Sequence, residues 1–109
     1  MEVNKREADE TTIIMLDGRL DTNTTAGAQA QIEEFLDAGS ASVLLNCEQL
    51  EFISSAGLRM MLAIAKRLTA SNGELKVCAL NETVREVFEI SGFTSLLSVF
   101  SSEAEALSC

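Results

Sequence analysis

The sequence predicts an α/β fold: a mixed sheet of four to five strands with about four helices packed against it. Three observations lead there. Short apolar, often β-branched runs alternate along the chain with longer segments whose apolar residues recur every three to four positions, the pattern of strands exchanging with helices. The run Ser42-Val43-Leu44-Leu45-Asn46-Cys47 has a continuously apolar centre, which suits an interior strand covered on both faces. The first two strand candidates have no helical segment between them, so they pair antiparallel.

In chain order, Met1 to Ala8 mixes charge with a few apolar residues and suits an edge strand. Thr11 to Leu16 is β-branched and apolar and stops at Asp17-Gly18. Arg19 to Thr25 is a polar loop rich in helix-capping residues. A helix from about Thr25 to Asp37 places Ala28, Ile32, Phe35 and Leu36 on one face and turns Gln31, Glu33 and Glu34 outward, with Gly39 as its stop. After the Ser42–Cys47 strand, Glu48 to Ser55 reads as a loop. In the helix from Leu58 to Leu68, the residues Leu58, Met61, Leu62, Ala65 and Leu68 form a core stripe. Met60 and Ile64 add a second stripe, which fits core better than a partner surface. Ser71-Asn72-Gly73 is a turn and Leu75 to Leu80 a strand. Asn81 caps a helix from Glu82 to Ser91 that ends at Gly92, and Leu96 to Phe100 is a last short strand. Ser102 and Glu105 stand in capping-box spacing for a helix over Glu103 to Leu107.

Composition narrows the function. A chain of 109 residues fits one domain, residues 1–109, around one core, and 47% hydrophobic with 23% charged residues is ordinary for a globular protein. The net charge of −9 argues against nucleic acid or an anionic membrane surface as the main partner, since either needs a basic patch. No apolar run approaches the roughly 20 residues that span a bilayer, and Met1 to Glu7 has no signal-peptide core, so a cytoplasmic location is expected. Cys47, Cys78 and Cys109 are distant in sequence and read as reduced, buried thiols. There is no histidine, hence neither the commonest metal ligand nor the commonest general base. No metal, cofactor or catalytic residue is expected.

The stretch Leu50-Glu51-Phe52-Ile53-Ser54-Ser55-Ala56-Gly57-Leu58 carries the chemistry. Two adjacent hydroxyls sit where a loop becomes a helix. A serine there accepts a bond from an otherwise unpaired first-turn N–H, and the helix dipole favours an anion beside it. Either serine therefore serves as a cap or as a phosphate-bearing switch. For Ser54 the cap is the simpler account. Asp21 serves equally well as a loop cap or as a partner contact. Gly57 suits a close approach of strand or partner. The loops at Asp21 and at Ser54-Ser55 follow the second and third strands of this count, at the carboxyl ends where such sheets place function, so they form one surface.

The order of elements, Gly18-Arg19-Leu20-Asp21, and Phe52-Ile53-Ser54-Ser55-Ala56-Gly57-Leu58 resemble STAS domains, specifically the bacterial anti-sigma factor antagonists, over nearly the whole chain. The resemblance implies the STAS fold and a partner-switching cycle. The unmodified antagonist binds an anti-sigma factor that is also a serine kinase, and so displaces the sigma factor. The kinase then phosphorylates a serine at the start of the long helix, and a magnesium- or manganese-dependent serine phosphatase resets it. By motif the modified position is Ser55, with Ser54 second; many members carry aspartate where this chain has Ser54. The implied kinase-binding surface comprises Asp21, Thr22, Ser54, Ser55, Ala56, Gly57, Leu58 and Met60.

Two alternatives come from other classes. One is a non-phosphorylated STAS accessory subunit of a lipid or anion transport system. The other is an enzyme with Ser55 as nucleophile, which lacks a histidine, a lysine in the motif, and the glycine before the serine of a nucleophile elbow.

Overall fold

The sheet is assembled on β2 (Thr11–Leu20), and the computed structural model describes the chain over residues 1–39 and 41–108. β1 (Glu2–Ala8) runs antiparallel along it, pairing from Ala8↔Thr11 to Glu2↔Asp17. After α1 (Thr25–Asp37), β3 (Ser42–Asn46) returns parallel to the first half of β2, from Thr11↔Ser42 to Met15↔Asn46. β4 (Leu50–Ile53) takes over the second half, from Gly18↔Leu50 to Leu20↔Ile53. α2 (Ser55–Ala70) leads to β5 (Glu74–Cys78), parallel to β3, and α3 (Glu82–Ile90) leads through a 3-10 turn at Phe93–Ser95 to β6 (Ser98–Phe100), parallel to β5. The order is β1-β2-β3-β5-β6, with β4 off this path and paired to β2. α4 (Glu103–Leu107) follows.

The expected α/β class and mixed sheet hold, with six strands among the described residues in place of four to five. The additional strand, β4, lies inside the segment expected to be a loop. Asp17-Gly18, expected to end the second strand, lies within it. Gly18 has φ +118°, a conformation that L side chains rarely adopt, and the pairing register shifts between Gly18 and Arg19. Its N–H donates to the Gln49 carbonyl at 3.1 Å. The glycine thus carries the strand across to a new partner where a stop was expected. α2 also starts three residues earlier than its apolar stripe, at Ser55.

Side-chain alternation explains the apolar centre of β3. Val43 and Leu45 face one side with Ile14, Leu16, Leu75 and Val77, under α1 (Ala28, Ile32, Leu36) and α2 (Met61, Ile64, Leu68). Leu44 faces the other side with Ile13 and Cys78, covered by Ala106 of α4. That small helix is held by polar contacts: Glu103 pairs with Arg6, Asn46 Nδ2 donates to Glu103 Oε2 at 2.7 Å, and Lys76 Nζ donates to the Ala106 carbonyl at 3.0 Å. Cys47 and Cys78 are buried, as expected; burial raises both thiols, Cys78 to about 11, which leaves them protonated and unreactive. Cys109 lies outside the described residues. No helix among the described residues is long and apolar enough to cross a membrane.

Candidate functional site

β2 and β4 run parallel and end side by side, so the loops that leave them leave together. The Ser54 N–H donates to the Leu20 carbonyl at 2.8 Å, joining the start of α2 to the residue before Asp21. The two loops expected to share a surface therefore do, although Ser54 follows the fourth strand where the sequence suggested the third.

Ser54 is the N-cap of α2. Its backbone is extended (φ −92°, ψ 174°), its Oγ accepts from the Gly57 N–H at 3.3 Å, and its carbonyl accepts from the Leu58 N–H at 3.0 Å. The Ser54 hydroxyl is thus engaged with the helix it starts. Ser55 is the first helical residue and is exposed. With Ser54 committed to Gly57, the amides of Ser55 and Ala56 remain the open donors of the first turn. No acidic side chain occupies that turn, so the positive end of a 16-residue helix dipole faces solvent beside the Ser55 hydroxyl.

Asp21 shapes the neighbouring loop. Its Oδ1 accepts from the Asn23 N–H at 2.9 Å and from the Thr24 N–H at 3.1 Å, the bonds of an Asx turn. Thr24 Oγ1 donates to the Arg19 carbonyl at 2.7 Å and accepts from the Asp21 N–H at 3.0 Å. The Asn23 amide above all, then the amide and hydroxyl of Thr24 and the charge of Arg19, hold the Asp21 carboxyl below its ordinary pKa against a smaller opposing effect of desolvation. Arg19 lies over the Phe52 ring, with Cζ 4.6 Å from the centroid, a cation–π contact between β2 and β4.

Of the eight residues expected to meet a kinase, five reach this surface. Thr22 and Ser55 are exposed; Asp21, Ser54 and Ala56 are half-buried. Gly57, Leu58 and Met60 are buried, Leu58 at 4% exposure and Met60 at 2%. Helical periodicity turns those three into the core, and contact between them and a partner would require repacking. They support the surface from beneath. A Cβ added at Gly57 would lie 2.7 Å from Ile53 Cγ1 and 3.1 Å from Leu20 Cβ, so the glycine lets α2 seat on the ends of β2 and β4. Residues that drew no separate notice in the sequence are Asn23 and Thr24, whose amides bind Asp21, and Arg59, exposed one turn after Ser55. The capping chemistry of Asn and Thr was a signal for the first two; helical spacing was the signal for Arg59.

Chemically the site offers an accessible hydroxyl at a helix start, with no histidine anywhere in the chain to activate it. Among the described residues no group of three or more cysteine, aspartate or glutamate side chains could hold a metal ion.

Comparison with known proteins agrees with the fold. The STAS domain family model matches residues 2–106. BtrV of Bordetella bronchiseptica, provisionally named an anti-sigma factor antagonist, is 39% identical over 106 residues, covering 97% of this chain and 91% of that protein. The structure of the anti-sigma factor antagonist SpoIIAA in its unphosphorylated form is 28% identical with a TM-score of 0.81, covering 97% of this chain and 93% of that one. The Bacillus cell fate determinant SpoIIAA in its phosphorylated form is 27% identical with a TM-score of 0.73, covering 98% and 97%.

Proposed function

The chain belongs to the STAS domain family, and on that footing we propose that it is an anti-sigma factor antagonist that works by partner switching. The unmodified protein binds an anti-sigma factor serine kinase through the joined loops at Asp21-Thr22 and Ser54-Ser55-Ala56, displacing the sigma factor. The kinase transfers the γ-phosphoryl group of ATP to Ser55 Oγ; the hydroxyl proton is lost and ADP leaves. The modified protein lets go. A metal-dependent serine phosphatase returns it to the start by hydrolysis, releasing inorganic phosphate.

One observation carries this reading. Ser55 stands exposed at the first position of α2 while the Ser54 hydroxyl is spent on the cap. That division favours Ser55 as the acceptor. The open amides and the dipole accommodate the phosphoryl group, whose charge of about −1.5 to −2 at pH 7 changes the surface without requiring the domain to refold. Glu48 and Glu51 are exposed on the segment that leads to Ser54, so the addition enlarges an existing negative charge and repels an acidic partner surface. That a relative, SpoIIAA, is known in both phosphorylated and unphosphorylated forms supports the same cycle here.

Phosphosite mass spectrometry tests it, on protein expressed in its native host or mixed with a candidate kinase and ATP. Modification at Ser55 is expected, abolished in Ser55→Ala and retained in Ser54→Ala. An unmodified spectrum beside an active kinase overturns the proposal, and a stable complex with a transporter subunit that survives Ser55→Ala would put the accessory-subunit function in its place.

A further inference from the structure

We infer that Arg59 is a built-in counter-charge for phosphorylated Ser55, so that modification both adds an anion and withdraws this arginine from the surface; the inference rests on Ser55 being the modified residue. Ser55 and Arg59 are four residues apart on α2 and both are exposed. That spacing puts them on one helix face, with Cβ atoms about 5–6 Å apart. Every Cα–Cβ bond in a helix tilts toward the N-terminus, so the long side chain of Arg59 leans back toward Ser55. The order is also the favourable one, anion before cation along the helix.

The other cations near the site are differently placed. Lys66 and Arg67 are eleven and twelve residues along α2, roughly 16–18 Å from Ser55 along the axis. Arg67 pairs with Asp37 across to α1. Arg19 lies over Phe52 and acts on Asp21. Arg59 stands outside the three ion pairs found among the described residues.

Before modification Arg59 is therefore an exposed cation beside Ser55, available to a partner carboxylate. After modification its guanidinium, a planar fork suited to phosphate oxygens, has a nearer anion. A binding partner that uses Arg59 loses that contact as it meets the new negative charge.

The test installs phosphoserine at position 55 through a reassigned codon, which needs no kinase, and follows the phosphate by 31P NMR titration. The second phosphate pKa, ordinarily near 6, is expected to rise by on the order of 0.3 units in Arg59→Gln at low salt. The difference should shrink as salt screens the pair, and Arg59→Lys should fall between the two. Superimposable wild-type and Arg59→Gln titrations, with both proteins folded by their amide spectra, overturn the inference. The two proposals fail separately: a null titration leaves phosphorylation of Ser55 standing, and an unmodified Ser55 in the native host leaves the titration unchanged.

Discussion

At the scale of the residue, the adjoining side chains of the Ser54-Ser55-Ala56-Gly57 turn divide the work. Ser54 caps, Ser55 is presented, and Gly57 lets the helix approach the strands. The last role is steric, and it makes a prediction. A methyl group at Gly57 meets Ile53 Cγ1 at 2.7 Å, closer than real Cβ contacts come, and the atoms it meets belong to side chains that are themselves buried. The gain in helix propensity from Gly57→Ala, about 1 kcal/mol, opposes an overpacking cost of about 1–3 kcal/mol. A net loss of stability, up to about 2 kcal/mol, is therefore expected from urea denaturation, along with amide shifts concentrated at Leu20 and Ile53. A variant as stable as wild type, with those shifts unmoved, would show that Gly57 is not what lets α2 seat on Leu20 and Ile53.

At the scale of the element, the sequence was most legible where burial has a strong period. α1, α2 and α3 and the strands β3 and β5 follow from apolar spacing, and the caps at Asn81 and Ser102 follow from residue type. β4 was not legible for a physical reason. Its four residues, among the described ones, pair only with the end of β2, some thirty positions upstream, and its three apolar residues, Leu50, Phe52 and Ile53, do not alternate strictly with polar ones. Nothing local marks such a strand; its partner makes it. Gly18 misled for the complementary reason, since a glycine that normally ends a strand here lets one bulge and continue. The site was legible as two loops on one surface because both motifs are local, and apolar spacing marked Leu58 and Met60 as core, which their burial bears out against the partner contact that the resemblance implied.

α4 carries a prediction about pH. Glu103 is held below its ordinary pKa of 4.5, first by its bond from Arg6 and then by that from Asn46, with desolvation acting the other way. A carboxyl whose folded pKa lies below its unfolded value contributes stability that is fully present above the unfolded value. That contribution is lost as pH falls through the lowered folded value. The stability difference between wild type and Glu103→Gln, from urea denaturation, should therefore be constant above about pH 5 and narrow below the ordinary value. A difference that stays constant through the acid range would mean that the Arg6–Glu103 contact holds α4 by geometry alone.

At the scale of the whole molecule, the question is whether phosphorylation acts by refolding or by changing a surface. The core argues for a surface change. Residues beneath the site, Leu20, Ile53, Leu58, Met60 and Met61, are buried in the cluster that also holds the central strands. Displacing them would expose part of the main core, whereas a phosphoryl group on an exposed first-turn residue displaces only solvent. This chain also shares its fold with both the unphosphorylated and the phosphorylated forms of SpoIIAA. With phosphoserine at position 55, amide shift changes should accordingly be confined to the Asp21–Thr25 loop and the first two turns of α2, and the amides of β3 and β5 should keep their hydrogen-exchange protection. Two-dimensional NMR of the modified and unmodified proteins measures both. Loss of protection in β3 or β5 would place the switch in the core, because Val43, Leu45, Leu75 and Val77 are buried in the main cluster and their strands open only if the packing between sheet and helix changes.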